Sequence, residues 1–253
     1  MAAEEELLIE QIQIGPMENF TYIVGSRSTR EVVIVDPAWD IGALLDRVEE
    51  QGYKLTGALL THYHPDHCGG SFGQNSVEGV AELLGKQSVP IYAHKLEADG
   101  VRKVTGVSET DLRKVESGDK LAVGDIEIEF LHTPGHTPGS QCFRIKNTLV
   151  SGDTLFIQGC GRVDLPGSNS EDMFHSLQKL STLPDDTLLL PGHNYAEVPN
   201  ATMDQITHLE CVHADSRPRV LEEPDALGRC IHGRRDALTT TFALAADSEV
   251  LCV

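Results

Sequence analysis

Thr61-His62-Tyr63-His64-Pro65-Asp66-His67-Cys68-Gly69-Gly70 packs three histidines and one aspartate between positions 62 and 67. The apolar run 57–61 just before it reads as a short strand, so His62 begins at a strand end. A sheet scaffold holds residues at such an end rigidly. Alternation at 62, 64 and 66 would put three ligands on one side of an extended chain. A bend at Asp66-His67 would direct those two toward a second ion. Gly69 and Gly70 allow backbone conformations that bulkier residues resist. A histidine-rich surface loop seldom combines these features, so metal binding is the reading. Imidazole and carboxylate donors suit Zn, Fe or Mn without selecting sharply among them.

Three other stretches share this character. Thr133-Pro134-Gly135-His136-Thr137-Pro138-Gly139 centres His136 in a Gly/Pro loop. Val150-Ser151-Gly152-Asp153-Thr154 ends a strand with an acid, and Leu190-Pro191-Gly192-His193-Asn194-Tyr195 ends one with a histidine. Each alone would pass for a turn, but together they complete the first cluster. His62, His64 and His136 are expected to hold one metal, and Asp66, His67 and His193 the other. Asp153 is expected to bridge them. Three protein ligands per ion plus a bridge leave room for a shared water or hydroxide, as a catalytic site requires.

The surroundings have α/β character. Residues 7–14, 20–24 and 31–36 are rich in Ile, Val, Phe and Tyr and are separated by turn sequences, which predicts an antiparallel meander. Ile41, Leu44, Leu45 and Val48 have helical spacing within 40–51, and Gly52 closes that helix. A helix at 77–84 and strands at 90–93 and 187–190 follow. Hairpins are predicted at 121–131, about Gly124-Asp125, and at 142–151, about Lys146-Asn147. Ser170 is the expected cap of a helix reaching Ser181, with Met173, Phe174, Leu177 and Leu180 as its apolar face. Strands in both halves with helices interspersed imply packed sheets with helices outside. Periodicity fades after Ala196. Residues 1–197 therefore read as the catalytic domain and 198–253 as an irregular tail or small appendage.

The bulk composition narrows the function. The 253 residues carry 39 acidic and 20 basic side chains, a formal charge of −19. Such a surface repels phosphate backbones and disfavours nucleic acid as a partner. No apolar run approaches the ~20 residues a bilayer span needs, so no membrane role is expected. The acidic start Met1-Ala2-Ala3-Glu4-Glu5-Glu6 suits neither a secretory signal nor a transit peptide, and a cytoplasmic location is expected. No pair among the six cysteines has C-x-x-C spacing. Each reads as a small buried apolar residue.

These motifs resemble the metallo-β-lactamase superfamily, most closely its glyoxalase II (hydroxyacylglutathione hydrolase) branch, over about residues 15–197. The resemblance also rests on Met17-Glu18-Asn19-Phe20-Thr21-Tyr22, Val35-Asp36-Pro37, Gly152-Asp153-Thr154-Leu155-Phe156 and Gly159-Cys160-Gly161-Arg162. It implies a four-layer αβ/βα sandwich with the metals at one edge of the two sheets. It also implies two divalent ions, zinc ahead of iron or manganese, and a small thioester such as S-D-lactoylglutathione as substrate. Asp66 and Asp153 would lessen the charge of the metal pair and orient a bridging hydroxide. Arg162 would stand in for the basic residue that contacts substrate. Glyoxalase II enzymes add a C-terminal helical domain that grips glutathione and a tyrosine shortly after the Gly-Cys-Gly turn. Here Asp164 stands near the tyrosine's place and 198–253 shows no such clamp, so the chain looks more like the shorter glyoxalase II-like hydrolases. A persulfide dioxygenase holding one iron on His62, His136 and Asp153 is an alternative, although Cys68-Gly69-Gly70 favours the hydrolases. A non-enzymatic metal-binding scaffold is another.

Overall fold

The computed structural model describes residues 6–73 and 75–206. The chain opens with the meander β1 (Leu7–Ile14), β2 (Asn19–Ser26) and β3 (Glu31–Val35), all antiparallel. Helix α1 (Ile41–Glu50) crosses to β4 (Lys54–Leu59), which runs parallel to β3. Asp40 caps α1 by accepting the Ala43 N–H at 2.8 Å. After the one-turn helix α2 (Pro65–Cys68) comes the small hairpin β5 (Gly70–Phe72) and β6 (Asn75–Val77). Helix α3 (Val80–Lys86), β7 (Ile91–His94), α4 (Ala98–Thr105) and β8 (Leu112–Val115) complete a six-stranded sheet of order β1-β2-β3-β4-β7-β8.

The second sheet begins with β9 (Lys120–Val123), β10 (Ile126–His132), β11 (Gln141–Ile145) and β12 (Thr148–Gly152), again antiparallel. The pair β13 (Leu155–Phe156) and β14 (Gly159–Cys160) precedes helix α5 (Ser170–Leu180). Strand β15 (Leu188–Pro191) then lies parallel to β12, and β16 (Ala201–Thr202) adds an edge to give the order β16-β15-β12-β11-β10-β9. Packed structure thus runs through Ile206. The rest of the predicted tail, from 207 on, lies outside the described residues, with Cys211, Cys230 and Cys252.

Both predicted hairpins and the opening meander are present. Two local readings change. The helix predicted at 77–84 starts at Val80, because 75–77 pairs with β5 instead. The cap of α5 is Asn169, whose side chain accepts the N–H groups of Glu171 and Asp172 at 2.9 and 3.1 Å. Ser170 is the first helical residue. Asn169 wins because its own N–H donates to the Gly135 carbonyl at 2.8 Å, which fixes the helix entry against the His136 loop. Helix α4 and strand β8 were not read from the sequence.

Side-chain alternation sorts the core into three layers. Tyr22, Val24, Val33, Val35 and Leu59 of the first sheet meet Ile128, Phe130, Phe143, Ile145 and Val150 of the second. The opposite face of the first sheet, through Ile23, Val32 and Ile34, packs on Ile41, Leu44, Val80, Leu83 and Val101 of its helices. The outer face of the second, through Leu131, Cys142 and Leu189, packs on Met173, Phe174, Leu177 and Leu180 of α5. Buried on both faces, β2 carries no exposed residue. The result is a four-layer αβ/βα sandwich. Cys68 and Cys142 are buried within it and Cys160 is half-buried. No helix among the described residues is long and apolar enough to cross a membrane.

Candidate metal centre

All seven predicted ligands leave the ends or following loops of β4, β10, β12 and β15, on one edge of the sandwich. The chain after β4 is extended only as far as His64. Pro65, with its fixed φ, is the first residue of α2, and the Cys68 N–H closes the turn on the His64 carbonyl at 3.0 Å. The predicted alternation through Asp66 is therefore wrong, since a helical turn intervenes. The predicted bend is this turn, and it sends Asp66 and His67 to a separate group. The turn ends at Gly69, with φ 82°, where a side chain would strike Gly79 backbone at 2.4 Å. Gly70, with φ 111°, would strike the Val104 carbonyl oxygen at 2.1 Å. Both glycines are demanded by their surroundings.

Three clusters have the spacing to hold a metal ion: His62, His64 and His136; Asp66, His67 and His193; and His62, His67 and Asp153 between them. In the first, His64 Nδ1 lies 3.1 Å from His62 Nε2 and 3.0 Å from His136 Nε2. In the second, His67 Nε2 lies 3.2 Å from His193 Nε2 and 3.3 Å from Asp66 Oδ2. Asp153 faces both: Oδ1 is 3.4 Å from His67 Nε2, and Oδ2 is 3.4 Å from His193 Nε2 and 3.6 Å from His136 Nε2.

The far side of each ring sets its tautomer. His136 Nδ1 donates to the Arg162 carbonyl and His193 Nδ1 to the Met17 carbonyl, each at 2.9 Å. His67 Nδ1 donates to Asp36 Oδ2 at 3.0 Å. Asp36 also accepts the Thr61 N–H at 2.7 Å and the Thr61 hydroxyl at 2.6 Å. Its hydrogen spent, that hydroxyl is left to accept from His62 Nδ1 at 3.0 Å. In neutral rings so anchored, the Nε2 lone pairs of His62, His67, His136 and His193 converge. Lone pairs about 3 Å apart repel unless a cation or protons lie between them. Asp153 Oδ1 is buried with no hydrogen-bond partner. Convergent lone pairs and an orphaned carboxylate oxygen are what metal ions would satisfy, so the residues fit two divalent ions.

Protonation divides the centre. Burial, reinforced by neighbouring imidazoles, holds His62 well below the usual histidine range and His64 down to about 4. Burial also works against charging His67 and His193, but Asp66 and Asp153 outweigh it. His67 is held well above the usual range and His193 is raised to about 9. For Asp66 and Asp153 burial pushes upward, yet His67 and His193 hold both carboxyls well below their ordinary value.

Several supporting residues carried no assigned role in the sequence. Asn19 is buried and donates its amide to Asp66 Oδ2 at 3.0 Å, while its carbonyl accepts from Trp39 Nε1 at 3.0 Å. Asn19 and Asp36 lie in quoted motifs, but motif membership does not reveal what a side chain touches. Tyr195 stacks on His193 with ring centroids 4.6 Å apart, and Phe156 meets both rings edge-on. Arg162 lies beside the centre through its backbone. Its guanidinium pairs with Asp164, Nε to Oδ1 at 2.9 Å and Nη2 to Oδ2 at 3.3 Å.

A sandwich of this order with a histidine–carboxylate centre at one edge defines a metal-dependent hydrolase fold. The family model "Metallo-beta-lactamase superfamily" matches residues 14–193, and the chain belongs to that superfamily. It is 35% identical to a hydroxyacylglutathione hydrolase of Rhodopseudomonas palustris, over 84% of this chain and 76% of that one. It is 33% identical to a probable polyketide biosynthesis zinc-dependent hydrolase, BaeB, of Bacillus velezensis, over 74% of this chain and 78% of that one. The human mitochondrial persulfide dioxygenase ETHE1 is also 33% identical, over 74% and 68%. Among solved structures, a di-iron-bound form of TTHA1623 superposes with a TM-score of 0.65 at 29% identity, over 78% of this chain and 95% of that one.

Proposed function

We propose that the chain is a two-metal thioesterase of the glyoxalase II type, acting on a small acyl thioester such as S-D-lactoylglutathione, with zinc as its metal. The observation that carries this reading is the pair of ligand groups joined by Asp153. A second complete group, built on carboxylates, suits a binuclear hydrolase. The hydroxyacylglutathione hydrolase likeness at 35% identity supports the thioester.

His62, His64 and His136 would hold one ion, Asp66, His67 and His193 the other, with Asp153 shared. When bound, the ions supply a water whose pKa is lowered toward neutrality and Lewis acidity toward a carbonyl oxygen. The chain supplies the arrangement. Asp36 keeps His67 in the ligating tautomer, and the Arg162 and Met17 carbonyls do the same for His136 and His193. Asn19 holds the Asp66 carboxylate at its angle. Phe156 and Tyr195 cover one side of His193 and limit water there. A substrate carboxylate at Arg162 would compete with Asp164 for the guanidinium.

A second reading, an iron-dependent persulfide dioxygenase, draws on the Arg162–Asp164 pair and on the likeness to the human enzyme. The two readings separate in one experiment on the purified, metal-analysed protein. Thiol release from S-D-lactoylglutathione without oxygen uptake supports the thioesterase. Oxygen uptake with glutathione persulfide and no thiol release from the thioester overturns it. Metal binding with neither activity would leave the scaffold reading.

A further inference from the structure

The first ligand group is assembled from two loops on different sheets. His62 and His64 follow β4, whereas His136 follows β10. The spacing of their three nitrogens therefore depends on what joins those loops. One buried side chain does so directly. Glu97, 1% exposed at the start of α4, belongs to neither loop. Its Oε2 accepts the backbone N–H of Tyr63, the residue between His62 and His64, at 2.8 Å. Its Oε1 accepts the hydroxyl of Thr137, next to His136, at 2.9 Å and the backbone N–H of Gly139 at 2.7 Å. A side chain at Gly139 would come within 2.8 Å of Glu97 Cγ and Oε1, so the loop is closed tightly over the carboxylate. Gln141 makes a second tie lower down: its N–H and side-chain amide donate to the carbonyls of Thr61 at 3.0 Å and Leu60 at 2.7 Å. Gln141 joins the strand ends, while Glu97 joins the loops that carry the ligands.

We propose that Glu97 is a positioning residue for the first metal group, its carboxylate clamping the His62–His64 loop to the His136 loop and setting the spacing of three imidazoles drawn from two sheets. The inference rests on the reading that those imidazoles hold an ion. A carboxylate is suited to the task because its two oxygens accept three donors at once. Glutamine offers a single acceptor oxygen and would turn an NH2 group toward an N–H. Burial pushes the Glu97 carboxyl up to about 7 against the pull of Thr137, Gly139 and Tyr63.

The test uses the full-length chain, stripped of metal and titrated with Co²⁺ against a competing chelator, with the Co²⁺ absorption spectrum recorded and kcat and KM measured on the thioester. Two variants bear on the clamp: Glu97→Gln removes one acceptor oxygen, and Thr137→Val removes one donor. For Glu97→Gln, first-ion affinity is expected to fall about tenfold, the lower end of losses for groups that orient metal ligands. The Co²⁺ spectrum of that site should change and kcat should fall with KM held, while second-ion affinity stays as in the wild type. Thr137→Val should show a smaller loss of the same kind, and Thr137→Ser should restore it. Wild-type affinities and spectrum in a folded Glu97→Gln protein would overturn the proposal. So would a loss spread equally over both ions, which marks general destabilisation. Should Glu97→Gln fail to fold, the Thr137→Val and Thr137→Ser pair decides by the same criteria. A wild-type chain that takes up no ion on His62, His64 and His136 would instead refute the metal-centre reading, and the clamp with it.

Discussion

His62, His64 and His136 form a group made only of imidazoles, whereas His67 and His193 face Asp66 and Asp153 across 3.3 to 3.5 Å. Burial keeps His62 and His64 neutral, with His64 down to about 4. Carboxylates make the second hold protons, with His193 up to about 9. The first group is therefore a ready-made set of lone pairs. In the second, protons take a cation's place until one arrives. Adjacent sites sharing Asp153 should accordingly differ in how they load, and this asymmetry can be attacked directly.

The largest effect belongs to the residue that joins the groups. Asp153→Ala should cost on the order of a thousandfold or more in kcat, as when a unit that acts together is broken, with the far-ultraviolet circular dichroism unchanged. His62→Ala and His193→Ala should each cost comparably, but metal analysis should show loss of the first ion in one and of the second in the other. Loss of both ions in either variant, or of the same ion in both, would remove the distinction between the groups.

Next is pH. Metal binding to the second group must displace the protons that its carboxylates hold on His67 and His193, so its affinity should fall with pH, by about tenfold per unit below about 9 for the His193 proton alone. Burial lowers His62 and brings His64 down to about 4, so these two imidazoles offer far less such competition. Stepwise dialysis from pH 8 to pH 6 should thus release the second ion first, read by metal content. Stability of the metal-free protein moves oppositely. His193 is raised in the fold, so its contribution is complete below the unfolded value near 6.5 and is lost as pH rises through about 9. That contribution is on the order of 3 kcal/mol. Thermal melts of chelator-treated protein should therefore weaken between pH 7 and 9, while loaded protein should not.

Smaller effects come from the supports. Asn19→Ala frees the Asp66 carboxylate and should weaken the second ion about tenfold while sparing the first, measured by chelator competition. Tyr195→Ala, at an exposed position stacked on His193, should change KM by a few-fold at most and leave metal content intact.

The division between what the sequence revealed and what it concealed follows distance along the chain. The seven candidate ligands that the fold gathers at one edge were legible because each sits in a short run of Gly, Pro and His or Asp where a β-rich segment ends. The sheets were legible from β-branched runs, and the meander and hairpins from the turns between them. Asn19 and Glu97 had no assigned role because their partners are remote: Asn19 meets Asp66 across 47 positions, and Glu97 meets Thr137 across 40. Only the closed sandwich brings them together. Helix α4 carries little sequence signal because Ala98 and Val101 are its only buried residues, and β8 carries little because exposed Arg113 and Lys114 separate its two buried ends. The extended reading through Asp66 failed because Pro65 suits the first position of a helix as well as it suits a loop.

Metal stoichiometry of the reconstituted protein, taken with thiol release from S-D-lactoylglutathione on the same sample, separates a two-metal thioesterase from its rivals. Two ions per chain are expected at pH 8, with turnover rising as the second ion binds and lost when it is removed. A single ion that supports full activity, or two ions with no thiol release, would contradict that expectation.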